Sequence, residues 1–215
     1  MKALIFPIML IIAVALGAGA WLLYSAPPGE LEKLEIGGIH LPQPAPVKEF
    51  TLTSATDVSF DLNTLKGQWT FLFFGYTFCP DVCPLTLTKL SKIQQLLAEK
   101  NADQNTAYMF ISVDPERDTP ERLRDYTAHF SSKISSATGS RAEIDKLAKQ
   151  FGIFYEIHEH EPSDKNYLVD HSSALILINP DAALQAVLTH PDQPETVVKD
   201  FLKIRSRYQE IANRS

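Results

Sequence analysis

The stretch Trp69–Lys100, WTFLFFGYTFCPDVCPLTLTKLSKIQQLLAEK, decides how this chain is read. Trp69 to Phe74 is apolar and aromatic and is bounded by Gly67 and Gly75, the pattern of a buried strand. Leu85, Leu87, Leu90, Ile93, Leu96 and Leu97 then recur at helical intervals with polar residues between them, which predicts an amphipathic helix. At the junction lie the two cysteines of the protein, Cys79 and Cys83. Pro84 suits a first helical turn, where its missing N–H costs nothing.

Three consequences follow from that junction. The i, i+4 spacing would place both sulfurs on one face of a helical turn, with Cα atoms near the upper limit for a disulfide. A helix N-terminus favours thiolate over thiol. The preceding strand delivers the pair to the carboxyl edge of a sheet, where α/β folds place their sites. A structural disulfide is the plainer reading, but so short a loop gives only about 2 kcal/mol of chain-entropy stabilisation. Neighbouring cysteines at a strand–helix junction are better suited to reacting or to holding a soft metal.

The chain has 215 residues, 45% of them hydrophobic, so one globular domain with a real core is expected. Net charge is −6 and no basic tract occurs, which argues against nucleic acid as a partner. Two cysteines do not make a disulfide-built scaffold. Ala3 to Tyr24 carries no charge. At about 1.5 Å per residue it reaches about 33 Å, enough to span a bilayer core as a single transmembrane helix. Lys2 precedes this run and Glu30, Glu32, Lys33 and Glu35 follow it, so the globular part is expected on the exported, periplasmic-type side of the membrane. A cleaved signal peptide is the competing reading, because Ala18-Gly19-Ala20 resembles a cleavage site; the continuation through Trp21-Leu22-Leu23-Tyr24 favours an anchor. Either way the thiols meet an oxidising compartment and need an exported thiol reductant.

The domains are therefore an anchor or signal peptide at 1–24, a proline-rich linker at 25–47 and a globular domain at 48–215. FTLTSATDVSFDL (50–62) reads as two short strands joined by a turn. Ala107 to Val113 is a second buried strand. Thr119 and Pro120 cap and open a helix to about Phe130. Ser140 to Glu143 has capping-box spacing and opens another, to about Phe151. Ile153 to Ile157 is strand-like, His158 to Asn166 a charged loop. Leu175 to Ile178 and Ala186 to Thr189 form a hairpin about Asn179-Pro180-Asp181, and Pro194 to Asn213 closes the chain as a helix. Strands alternate with helices and a hairpin comes late, which suggests an α/β sandwich of the thioredoxin type with an N-terminal strand extension.

GYTFCPDVCP (75–84), SVDPERDTPERL (112–123) and YLVDHSSALILINPD (167–181) together resemble the Sco/SenC family, over about residues 45 to 205. Those are exported, membrane-anchored, thioredoxin-fold copper proteins. The resemblance implies a mononuclear copper site made by Cys79, Cys83 and His171. It also implies copper delivery to the dinuclear CuA centre of cytochrome c oxidase, whose copper-bearing subunit is then the partner. A thiol–disulfide role toward the same target is also attributed to the family. Two departures stand out. Asp181-Ala182 occupies a turn where the family often has Asp-Gly, and SSKISSAT (131–138) is more polar than expected.

The chemistry of the residues agrees with that site. Thiolate favours Cu(I), and imidazole lets the same site accept Cu(II). Structural zinc takes four protein ligands, and three are evident here. A three-ligand site leaves room for a receiving protein, and its affinity should fall as pH drops. A lone histidine before a strand is ordinarily structural; Asp170, Ser172 and the resemblance make His171 a ligand candidate instead. Asp81 is read as a cap or as support for the site, and Asp170 as a residue that could orient a ligand. His158-Glu159-His160-Glu161 could attract metal weakly, though charged loops usually face water. His40, His129 and His190 are scattered and read as structural or exposed. Tyr76, Phe78 and Phe74 read as packing around the site, and the charged run 114–120 as a loop and cap with some capacity to dock a partner. A membrane-anchored thiol–disulfide oxidoreductase, with Cys79 and Cys83 as its catalytic pair, is the alternative function. A peroxiredoxin-like peroxidase is weaker, because Thr77 stands two residues before Cys79, not three.

Overall fold

The structure is a computed structural model that describes residues 34–161, 163, 166–189 and 193–213. The apolar run at 3–24, expected as a membrane anchor, lies outside the described residues. Among the described residues no helix is long and apolar enough to cross a membrane.

Strand β4 (Trp69–Gly75) is buried along its whole length, as its unbroken apolar sequence requires. It pairs in parallel with β5 (Thr106–Ser112) through the crossover helix α2 (Val82–Glu99). On its other side it pairs antiparallel with β9 (Leu175–Ile178), which forms a hairpin with β10 (Ala183–Leu188). Beyond β5 the sheet continues through β6 (Ile134–Thr138), β2 (Thr51–Ser54) and β3 (Ser59–Asp61). The far edge beside β10 is β1 (Gly38–Pro46), which completes eight strands in the order β1-β10-β9-β4-β5-β6-β2-β3. A separate ribbon pairs β7 (Tyr155–Ile157) with β8 (Val169–His171). A one-turn helix α1 (Leu62–Leu65) follows β3. Helices α3 (Pro120–Ala128) and α4 (Arg141–Gln150) follow β5 and β6, and α5 (Pro194–Ala212) closes the chain. A parallel βαβ unit flanked by an antiparallel hairpin and covered by helices is the thioredoxin-like sandwich, here enlarged at both edges.

The two-residue period of β4 sorts its side chains. Trp69 and Phe71 meet Phe201 of α5, with ring centroids 5.5 and 5.1 Å apart. Phe74 points to the opposite face and meets Phe151 at the end of α4. Caps set the helix starts as expected: Thr119 accepts from the Arg122 N–H, and Ser140 from the Glu143 N–H.

Several segments differ from the sequence reading: α1 and β8 were not expected, and β10 begins at Ala183 rather than Ala186. Residues 38–46, expected within a linker, form β1 and pair with β10. Pro42, Pro44 and Pro46 are tolerated because the strand is at the edge, and the register shifts between His40 and Ala45. The polar stretch before Gly139 is strand β6, with Ile134, Ser136, Ala137 and Thr138 buried and Ser135 exposed. No strand was expected there, because serine carries little β propensity.

The Asp181-Ala182 departure is resolved at backbone level. Ala182 keeps the left-handed conformation that glycine usually supplies, φ +56°. The turn holds it there: Asn179 Oδ1 accepts from the N–H groups of Asp181 and Ala183, both at 3.0 Å, and the Asn179 carbonyl accepts from Ala182 N at 2.9 Å. Ala182→Gly is therefore expected to raise unfolding stability by about 0.5–1 kcal/mol, after the entropy that glycine adds to the unfolded chain. Urea denaturation would show a higher midpoint at unchanged slope; an unchanged or lower midpoint would count against strain at this turn.

Candidate metal centre

The site is built where β4 ends and α2 begins. Cys83 lies in the first turn of α2 and is fully buried. Its sulfur packs on the backbone of Gly75: a Cβ added to that glycine would lie 2.6 Å from Cys83 Sγ and 2.9 Å from the Phe110 ring. Gly75 is thus needed for close approach rather than for an unusual dihedral. Cys79 is in the loop before the helix, not on it, with its N–H on the Tyr76 carbonyl at 3.3 Å. The expectation of two sulfurs on one helical face is corrected accordingly; a turn at 76–79 brings Cys79 back toward the helix end.

His171 ends β8, opposite Tyr155. Its Nδ1 lies 3.1 Å from the Ser172 carbonyl, which can only accept, so Nδ1 carries a proton, and its Nε2 faces the sulfurs, 3.1 Å from Cys83 Sγ. Phe73 and Tyr76 hold the imidazole edge-on, with centroids at 5.9 and 5.8 Å. Tyr76 also accepts the Val169 N–H on its hydroxyl, 3.3 Å away, which ties the loop after β4 to β8. The ligand atoms of Cys79, Cys83 and His171 all lie within 4.8 Å of one another, and both cysteines are free.

The two sulfurs are not equivalent. Cys79 is held far below the ordinary thiol range, first by a hydrogen bond from Cys83, then by His171 and the N–H groups of Asp81 and Cys83. The Cys83 N–H is 3.4 Å from Cys79 Sγ. Cys83 is pushed up, chiefly by burial and next by its proton being held against Cys79. Burial thus outweighs the helix N-terminus at Cys83, and the resting pair is a Cys79 thiolate beside a Cys83 thiol.

The supporting residues include several that sequence reasoning placed elsewhere. The charged run 114–120 does form a loop and cap, but Asp114, Arg117 and Asp118 are buried rather than facing water. Asp118 accepts from Thr77 N at 2.9 Å, Thr77 Oγ1 at 2.5 Å and Ser112 Oγ at 2.6 Å, which fixes the start of the cysteine loop. The Thr77 hydroxyl is therefore committed away from Cys79, and it also accepts from Arg122. Asp81 occupies the N-cap position of α2, but its side chain makes no capping bond. Asp170 does not orient His171; its carboxylate takes His158 Nε2 at 2.9 Å and holds that imidazole's pKa above its usual value. The Ser172 carbonyl has the orienting role. Phe74 is on the far face of the sheet, so the aromatic packing at the site is Phe73 and Tyr76. Phe78 is exposed, between the guanidinium groups of Arg117 and Arg122.

Among the described residues the remaining histidines each have a protein partner. His160 stacks on Tyr167 at 3.7 Å and bonds the His158 carbonyl. His40 is buried and receives the Leu34 N–H, His129 bonds the Asp125 carbonyl, and His190 lies outside the described residues. Among the described residues, Cys79, Cys83 and His171 are the group whose donor atoms can converge on one ion.

Two outcomes test this geometry. Iodoacetamide at about pH 6, where an ordinary thiol of pKa about 8.5 is almost wholly protonated, should label Cys79 and spare Cys83 in peptide mass spectrometry. Equal protection of both would contradict the thiolate at Cys79. Gly75→Ala should cost about 1–3 kcal/mol in chemical denaturation, as overpacking does; a neutral effect would mean Cys83 does not rest against this strand.

Comparison with known proteins gives a consistent result. Residues 40–206 match the SCO1/SenC family. The SCO2-like protein of Rickettsia prowazekii is 33% identical over 190 residues, 83% of this chain and 87% of its own. The crystal structure of Arabidopsis thaliana ScoI with copper bound superposes with TM-score 0.69 at 32% identity, covering 76% of this chain and all of that one. BsSco, described as having a disulfide switch and as a member of the Sco family of cytochrome c oxidase assembly proteins, aligns with TM-score 0.59 at 26% identity, over 79% of this chain and 96% of that one. The fold, the Cys-Cys-His cluster and the extent of the match converge on one assignment: the chain belongs to the SCO1/SenC family.

Proposed function

We propose that this protein is a copper metallochaperone that takes one copper ion on Cys79, Cys83 and His171 and delivers it to the copper-bearing CuA subunit of cytochrome c oxidase during assembly. The observation that carries the reading is the convergence of three donors: His171 Nε2 lies 3.1 Å from Cys83 Sγ, and the ligand atoms of Cys79, Cys83 and His171 all lie within 4.8 Å of one another. Thiol–disulfide exchange has no need of an imidazole there, whereas two sulfurs and one imidazole suit copper in both oxidation states. Copper is cargo in this reading. Three donors leave its coordination open to a receiving protein, and the cysteine loop that carries Cys79 reaches the surface at Phe78 and Pro80. The apolar run at 3–24 would anchor the domain to the membrane on its exported side, where an exported thiol reductant keeps the pair reduced.

A second reading rests on the asymmetry of the sulfurs. A Cys79 thiolate beside a Cys83 thiol is the arrangement of an attacking and a resolving cysteine. The same protein can serve both roles, since the reduced dithiol is also the copper-competent state.

An anaerobic copper titration of the reduced protein beside His171→Ala separates them. The metallochaperone reading expects one tightly bound copper per chain, a sulfur-to-copper charge-transfer band for Cu(II), and marked loss in the variant. Binding indifferent to His171, with disulfide exchange intact, would move the function to thiol chemistry.

A further inference from the structure

We propose that Arg117 is the positioning residue of the metal centre, the clamp that sets the separation of the cysteine loop from the histidine strand; this rests on the copper reading above. The donors come from two segments far apart in sequence, 76–83 and 167–171, and the loop 113–119 lies between them. Arg117 is the residue of that loop that touches both. Its Nε is bonded to the buried Asp114 carboxylate. Its Nη1 donates to the Tyr167 carbonyl at 2.8 Å, four residues before His171. The guanidinium plane lies 3.4 Å from the Tyr167 ring centroid on one side. Toward the cysteines it lies 4.7 Å from Phe78, the residue before Cys79, and 5.4 Å from Tyr76. The Tyr167 hydroxyl returns to Asp114 Oδ1 at 2.7 Å, so arginine, aspartate and tyrosine close a ring.

Such a ring is poorly explained as a source of stability. A buried ion pair gives little net stabilisation, because desolvation offsets the attraction. What a planar, forked, always-charged group supplies is direction: a carbonyl and a carboxylate fixed in plane, and aromatic rings fixed on its faces. Here the carbonyl and one ring belong to the histidine segment and the other rings to the cysteine loop. Moving Arg117 would change where Tyr167 and Phe78 sit relative to each other, and with them whether His171 Nε2 reaches the sulfurs. Orienting partners of metal ligands act in this way.

The test compares the full-length reduced protein, His171→Ala and Arg117→Lys. Lysine keeps a positive charge beside Asp114 but loses the fork and the plane. Arg117→Lys is expected to melt cooperatively, to bind Cu(II) about ten- to a hundredfold more weakly, and to lose the imidazole nitrogen coupling from its electron paramagnetic resonance spectrum, as His171→Ala does. A folded Arg117→Lys protein with wild-type coupling and affinity would overturn the proposal. Should that variant fail to fold, the double variant Asp114→Asn/Arg117→Met, which removes both buried charges, is read in the same way; if neither folds, Arg117 is a folding residue and the proposal falls. Wild-type protein that itself shows no His171-dependent copper signal defeats the copper reading instead, so the two failures are distinct.

Discussion

The contact of Cys83 sulfur with the bare backbone of Gly75 is the constraint on which the rest of the site depends. A sulfur can approach a strand that closely only where the strand has no side chain on that face. The contact fixes how far the first turn of α2 descends onto the end of β4, and so where the short loop 76–81 must run. It also places Cys83 deep enough that its thiol keeps its proton, which in turn holds Cys79 as a thiolate. The fold supplies the conditions for this: β4 is the strand shared by the parallel βαβ unit and the antiparallel hairpin, paired on both sides from Thr70 to Phe73 and with β5 through to Gly75.

Around that contact the protein places polar groups where a sandwich core would ordinarily be apolar. Asp118 receives three hydrogen bonds beneath the cysteine loop, and Asp114, Arg117 and Tyr167 close a ring beside the histidine. Burial raises the Asp118 carboxyl, while Ser112 and Thr77 pull it back. Buried polar networks of this kind reward a single arrangement and penalise all others. A metal centre whose donors sit on separate segments needs that property more than it needs additional stability.

What was legible in the sequence follows from which signals are local. The 69–74 run, the helix after it and the capped starts of α3 and α4 each carry their own periodicity or cap, and each formed where expected. β1 and β6 were hidden, because their identity comes from pairing partners: prolines mask an edge strand, and serines mask a strand whose pattern rests on Ile134 and Ala137. The cysteines and His171 were legible as a set through three motifs, and the structure brings them together. Their supports were not. Nothing local tells Phe73 from Phe74 until the parity of β4 is known, and the charges of 114–118 read as a solvated loop until the chain folds over them. The Ser172 carbonyl, which orients His171 through Nδ1, has no side-chain signature at all.

The inequality of the two sulfurs has a consequence for how acidity would govern metal binding. Two ordinary thiols would each surrender a proton to a soft cation, and occupancy would drop about a hundredfold for each unit of acidification. Here Cys79 is already ionised, so of the two sulfurs the Cys83 thiol is the one with a proton to give. The sulfurs would then release one hydrogen ion per metal rather than two, and their contribution would change affinity about tenfold per pH unit. A site built this way loses less of its grip on acidification than its ligand set alone would suggest.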